Sequence, residues 1–441
     1  MKLDSDKKFG DLYPSIEALQ IALTELETKY KETVSDTQIP LRFLTLRDSP
    51  PLEPLGNTVH LRLTQRAEYD PDWEYVAVSY TWAQPESLAA QFNTPEFKIW
   101  IDDMEARPPR CPQSVLHRAL QYDIQGTKTG RLWIDQECID QDDSIDRDEH
   151  IAHMHRIYER SKCTAVVLSQ SLSLSHATLL QRCIEAHERD TREQTSNQGD
   201  QQEDCIDPVM SFNQAAMNRL VLHYRNNYLE SILQEELREA GTIDSPLHAI
   251  FKRLVEDTYF TRAWTYQEQR CSKTSCYLIP ILPDQPSNEV TTGRERTSIF
   301  MPSTLPPSID RWCWRRLRSL DLSGLLTNNF RSHNRGARAP GVPVVKERGL
   351  NDVETVRDRD YVIMETVRGM NTRNCKYVSD RVTMVANICE FGITLRTTQF
   401  QDDEAVSYST CVLALLVMNR IFKRSWASIM EMKIDVVLLT F

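Results

Sequence analysis

Between Glu74 and Ser169 the chain alternates short, almost wholly apolar runs with longer segments whose apolar residues recur at helical spacing. The runs are "YVAVSY", "RLWID" and "TAVVLS"; the segments between them include "CPQSVLHRALQYD" and "IDRDEHIAHMHRIYERSK". Strands apolar on both faces, alternating with helices, predict a parallel sheet covered on both sides and hence an α/β domain. Within the last segment, Asp146 followed three residues later by Glu149 resembles a capping box. Ile151, Met154, Ile157 and Tyr158 then share one face, which predicts a helix over 146–162 packed on the sheet.

The flanking regions follow other patterns. Apolar positions at Ile16, Leu19, Ile21, Leu23 and Leu26 predict an N-terminal helix within 14–34. "QIPLRFLTLRD" and "VHLRLTQRA" alternate as half-exposed strands do and predict a hairpin around "SPPLEPLGN". After Ser169 the alternation stops. "ERDTREQTSNQGDQQED" is too polar to bury, helical segments follow at 212–240, and 170–250 reads as an insertion. Pro-, Gly- and Arg-rich stretches at "PDQPSNEVTTGRERTS" and "RSHNRGARAPGVP" mark linkers. The expected organisation is an N-terminal helix and hairpin arm at 1–73, an α/β domain at 74–280 with its insertion, a linker-rich segment at 281–345, and a mostly helical region at 346–441. Between the linkers, "RWCWRRLRSL" reads as an amphipathic helix burying Trp312 and Leu320, or as a surface for RNA or lipid. The ending "SIMEMKIDVVLLTF" is abruptly apolar, as in a truncated or mispredicted gene product.

Composition narrows the classes. At 441 residues the chain predicts two or three domains, and a net charge of −11 argues against holding nucleic acid by bulk electrostatics. The eleven cysteines are irregularly spaced and the N-terminus carries no apolar leader, so reduced thiols in cytosol or nucleus are expected, with a cytoplasmic protein as the first choice. "CVLALLVM" is far shorter than the roughly 20 residues a membrane helix needs, which predicts a buried helix and no membrane span. No Gly-rich phosphate loop and no GxSxG elbow occurs, which disfavours a P-loop ATPase, a Rossmann dehydrogenase and an α/β-hydrolase.

Three constellations carry candidate chemistry. The strand "YVAVSYTW" ends in Ser79, Tyr80, Thr81 and Trp82, where the carboxyl ends of parallel strands place side chains toward a crevice; these residues either line a pocket or cap the core. In "LWIDQECIDQDD", Asp135 closes a strand, with Glu137, Asp140, Asp142 and Asp143 crowding the next turn. The group either binds a metal or a ribose hydroxyl, or forms a solvated loop in which Asp135 caps a helix. In "FTRAWTYQEQR", Trp264 and Glu268 are four apart and predict a shared helix face, so that a dehydrated Glu268 would have a raised pKa; the alternative is a surface glutamate. His150, His153 and His155 do not fall together on a helix, so a zinc site is not expected.

In their order, "YVAVSYTW", "LWIDQECIDQ" with the following "IY", and "FTRAWTYQE" resemble the fungal heterokaryon incompatibility (HET) domain over about residues 75–270. Ala83 stands where that family usually has Gly, and Asp140 where it usually has Asn. The run "SDRVTMVANICEFGITLRT" is similar to a segment found downstream in many such proteins. The resemblance implies non-self recognition between fungal cells, with regulated cell death on activation through protein partners or self-association. It also implies a distant likeness to TIR domains, hence a TIR/flavodoxin-like parallel sheet flanked by helices, with a helical insertion and a mostly helical C-terminal region. "AVVLS" followed by "AWTYQE" resembles the TIR order of a strand ending in Ser and a helix bearing WCxxE, with Thr265 in place of Cys. On that likeness Glu268 is the NAD-cleaving residue. Ser79, Tyr80, Trp82, Asp135 and Trp264 line the substrate site, NAD is a substrate rather than a cofactor, and no metal takes part. The rival reading from the same residues is a death-signalling module that binds partners without catalysis. A metal hydrolase built on Asp135 and Asp140 is a third.

Overall fold

The computed structural model describes, short breaks apart, residues 1–181, 250–282, 298–302 and 362–421. Most of the expected insertion, the "RWCWRRLRSL" segment and the apolar C-terminal run lie outside the described residues.

The apolar runs form the strands they predict. β4 (Val76–Tyr80), β7 (Leu132–Ile134) and β8 (Cys163–Val167) are buried along their whole length. β10 (Ser275–Leu282) extends this group, with β9 (Leu172–Ser173) paired in parallel to its far end, and β10, β8, β4 and β7 lie side by side in parallel with β4 inside. Around this parallel centre the sheet is mixed. Its order runs β11 (Ser298–Pro302), β10, β8, β4, β7, β2 (Leu44–Leu46), β3 (Thr58–Leu63), β5 (Glu96–Ile101) and β6 (Glu105–Arg107). β2 and β3 form the expected hairpin and join the sheet through β7, so this part of the N-terminal arm belongs to the α/β layer.

Helices cover both faces, and the register says which. Ala77 lies level with Trp133 and Thr164, so these side chains share a face. Trp133 meets Tyr158 of α3 (Ser144–Arg160) edge to face at 5.7 Å, and Thr164 Oγ1 bonds Ser272 Oγ at the end of α4 (Ala263–Cys271) at 2.6 Å. Val76 and Cys163 point the other way, where α2 (Gln113–Tyr122) sets its Tyr122 hydroxyl 3.1 Å from the Cys163 thiol.

α3 starts before the expected position. Asp143 is its N-cap, accepting from Ile145 N at 2.9 Å, whereas Asp146 is buried and accepts from Arg42, Arg66 and Asp140 N. Asp146 is therefore not the cap, because Arg42, Arg66 and Asp140 N claim its buried carboxylate. Met154, Ile157 and Tyr158 face inward as expected.

A second core lies outside α4. α1 (Ile16–Tyr30) buries Leu19, Leu23 and Leu26 against α5 (Val378–Ile388) and α6 (Tyr408–Met418), and Ala263 and Tyr266 of α4 enter the same cluster. β1 (Lys31–Thr33) pairs antiparallel with β12 (Ile393–Leu395), so the two ends of the described chain meet in one unit. α6 contains "CVLALLVM" and is buried as expected; no helix among the described residues is long and apolar enough to cross a membrane.

Candidate functional site at the carboxyl end of the central strand

Ser79 is the penultimate residue of β4, and strand alternation turns it to the face covered by α3 and α4. There Ser79 Oγ donates to Glu268 Oε2 of α4, and the Tyr259 hydroxyl lies 2.8 Å from the same oxygen. With Glu268 ionised, the one proton of Ser79 goes to the carboxylate, so Ser79 accepts from Tyr259, whose hydroxyl also lies 3.4 Å from Thr265 O. The chain of bonds runs from Tyr259 through Ser79 to Glu268. Tyr158 of α3, whose hydroxyl donates to Val78 O at 3.3 Å, also faces the Glu268 carboxyl.

Tyr259 is held by Asp257, which caps the single turn Thr258–Thr261. Asp257 is fully buried and accepts from Tyr259 N at 2.8 Å, Ser169 N at 2.6 Å, Ser169 Oγ at 3.0 Å and Gln170 N at 2.6 Å. The residue thus ties the loop after β8 to the turn that carries Tyr259.

Burial pushes the Glu268 carboxyl up to about 7, and the nearby Asp135 carboxylate adds to the rise. Ser79, Arg262 and Tyr158 pull it back toward the ordinary carboxylate range. Glu268 therefore stands near half-ionised at neutral pH, as a group that holds or passes a proton must.

Nearer the surface, Trp82 Nε1 donates to Asp135 Oδ2 and Asp135 Oδ1 accepts from Gln136 N, both at 2.8 Å. Burial raises the Asp135 carboxyl above its ordinary value, against the bonds from Trp82 and Gln136. Tyr80 is buried and gives its hydroxyl proton to Gln136 Oε1 at 2.6 Å, whereas Trp82 is 47% exposed.

The structure thus brings Ser79, Tyr80, Trp82, Asp135 and Glu268 together. Trp264 goes elsewhere. Its indole N–H points to Asp380 Oδ2 of α5 at 3.3 Å and its ring joins the second core. Four residues along a helix leave an offset of about 40° and 6 Å of rise, and here the two side chains meet different neighbours. The indole expected beside Glu268 is absent, and burial against β4 and α3 raises its pKa instead.

The other acidic residues of the 135–143 turn have structural partners. Glu137 accepts from Arg110 N at 2.5 Å and Cys111 N at 2.8 Å and pairs with Arg107 at 2.8 Å. Asp140 accepts from Asp142 N at 3.2 Å, and Asp143 caps α3. Among the described residues no group of three or more His, Cys, Asp or Glu is arranged to hold a metal. His150 and His155 are buried, and burial brings each down to about 4.

Tyr259, Arg262 and Gln136 are members of the site that the sequence reading did not single out. Each lies inside or beside a quoted motif, and that proximity is the only signal.

Residues 75–268 match the family model described as heterokaryon incompatibility protein (HET). The matched span begins just before β4 and ends at Glu268, so it holds every residue of the cluster. No curated protein and no solved structure matches the chain. The match supports a heterokaryon incompatibility domain protein, and its span holds β4, β7 and β8 with α2, α3 and most of α4, whereas β10 lies beyond it.

Proposed function

We propose that this HET protein serves fungal non-self recognition in the cytoplasm, where its activation by partners or self-association triggers cell death through cleavage of NAD. The observation that carries this reading is the Ser79–Glu268 pair at the carboxyl end of the central parallel strand, its carboxyl near 7 and Asp135 nearby bonded to the exposed Trp82 indole. Ligands of open α/β sheets gather at such strand ends.

Cleavage needs little from the protein. As the bond from ribose to nicotinamide breaks, its electron pair leaves with nicotinamide and positive charge grows on the ribosyl carbon. The ionised Glu268 stabilises that charge in a site with little water to screen it. Water then adds to the ribosyl carbon and loses a proton, so NAD and water give ADP-ribose, nicotinamide and H⁺. Ser79 and Tyr259 keep the carboxylate aimed, and the exposed Trp82 stacks on a ring of the substrate, with Tyr80 as its buried support and Asp135 within reach of ribose hydroxyls. Trp264 supports α4 from behind.

A second reading has its own observation. Glu268 is enclosed by Ser79 and Tyr158, so the cluster also serves as a clamp between α4 and β4, as in a module that signals only through partners. The purified full chain, assembled and incubated with NAD, separates the two. Nicotinamide release that Glu268→Gln abolishes is expected from the enzyme. Toxicity in a fungal host that Glu268→Gln leaves intact, with NAD unchanged, establishes the module.

A further inference from the structure

We propose that Arg373, in the segment beyond the family match, is a positioning residue of the Glu268 site. The inference rests on reading that cluster as a catalytic centre. Arg373 is 4% exposed, its Nη1 donates to Phe260 O at 2.6 Å, and its guanidinium lies 4.4 Å from the centre of the Tyr266 ring. Its neighbour completes the grip: Asn374 N donates to Thr261 O at 2.6 Å and Asn374 O accepts from Ala263 N at 3.0 Å. Arg381 of α5 in turn donates to Arg373 O at 2.7 Å, fixing the backbone from the far side.

The bonds that Arg373 and Asn374 make to Phe260, Thr261 and Ala263 fall on the Thr258–Thr261 turn and the first residue of α4. The turn carries Tyr259, the helix carries Glu268, and both meet at Ser79. The positive charge of Arg373 also favours the ionised form of the Tyr259 hydroxyl against the effect of burial, which strengthens it as a donor to Ser79. Slack in the turn therefore loosens the bond that Ser79 gives to the Glu268 carboxylate, and losing that bond disfavours the ionised form. The groups facing Glu268 directly are Asp135, which raises its pKa, and Ser79, Arg262 and Tyr158, which lower it. Arg373 acts one step behind them, through Tyr259. A segment outside the HET span thereby sets the proton affinity of a residue at that span's end.

The test is the midpoint of Glu268 ionisation in the full chain, read from its carboxylate infrared band with the Glu268→Gln spectrum subtracted. Arg373→Gln is expected to raise that midpoint by about one pH unit. Arg373→Lys keeps the charge and loses the planar fork, and is expected to recover about half of the shift. An unmoved midpoint in Arg373→Gln, with only thermal stability lowered, overturns the proposal. Where Arg373→Gln fails to fold, the folded Arg373→Lys decides, and an unmoved midpoint there overturns it equally. Nicotinamide release is measured separately. A wild type that releases none defeats the catalytic reading and leaves the titration result for Arg373 standing.

Discussion

Ser79 and Glu268 are 189 residues apart in sequence and share a buried hydrogen bond. The bond joins the carboxyl end of the central strand to the helix that covers it, so neither element shifts without disturbing the carboxyl group. Because that carboxyl is raised to about 7 from an ordinary 4.5, it also links folding to pH.

The sign follows from proton counts. Between about 4.5 and 7 the folded chain holds a proton on Glu268 that the unfolded chain has released, so stability falls as pH rises through this window. The contribution is fully present below 4.5 and lost above 7, and its size is about 3 kcal/mol. Glu268→Gln, which cannot ionise, is expected to flatten this limb. Urea unfolding of both proteins at pH 5 and pH 8 checks it, and equal slopes in the two would refute the assignment.

Asp257 predicts the largest loss of stability. It is fully buried and accepts from four donors, three of them backbone N–H groups that Asp257→Ala would leave without a partner. The expected cost is about 3 kcal/mol or more in urea unfolding, and Asp257→Asn, which retains an acceptor oxygen, should cost less. A change below about 1 kcal/mol for the alanine variant would show that water replaces the carboxylate freely.

Two glycines test the docking of the C-terminal segment. A Cβ added at Gly369 would lie 2.7 Å from Tyr266 Cζ, against a ring that Arg373 holds on another side. Gly369→Ala is expected to cost about 1–3 kcal/mol through overpacking. At Gly392 an added Cβ meets nothing within 4 Å, and Gly392→Ala should stay within about 0.5 kcal/mol. Equal thermal shifts for the two would mean that Tyr266 yields easily.

Local pattern carried much of this architecture. β4, β7 and β8 were legible because strands buried on both faces must be apolar throughout; Ser79 was legible because a hydroxyl there breaks that rule, and Glu268 because its motif sets a carboxylate four residues from an indole. Their pairing was not, since nothing in the spacing says that α4 turns Glu268 toward β4 and Trp264 toward Asp380. The union of α1 with α5 and α6 was hidden for the same reason: periodicity shows that Leu19, Leu23 and Leu26 share a face but not what covers it. Asp146 with Glu149 fits a cap by sequence, yet Asp143 takes that place. The choice fell to Arg42 and Arg66, which lie far upstream.

Trp82 separates binding from folding. It is 47% exposed and its one bond in the site is the indole N–H to Asp135 at 2.8 Å, so Trp82→Ala should change stability by no more than about 0.5 kcal/mol. If the indole stacks on a ring of the substrate, the same change removes about 1–3 kcal/mol of binding, a loss of roughly five- to 150-fold in affinity. Trp82→Phe keeps a ring and loses the N–H, so its affinity should fall between the two. The Asp135 carboxyl, without a bond that favours its ionised form, should then titrate higher than in wild type. Calorimetric titration with NAD in the Glu268→Gln background, where turnover is stopped, reads these affinities directly. Unchanged affinity in Trp82→Ala would remove the indole from the substrate site.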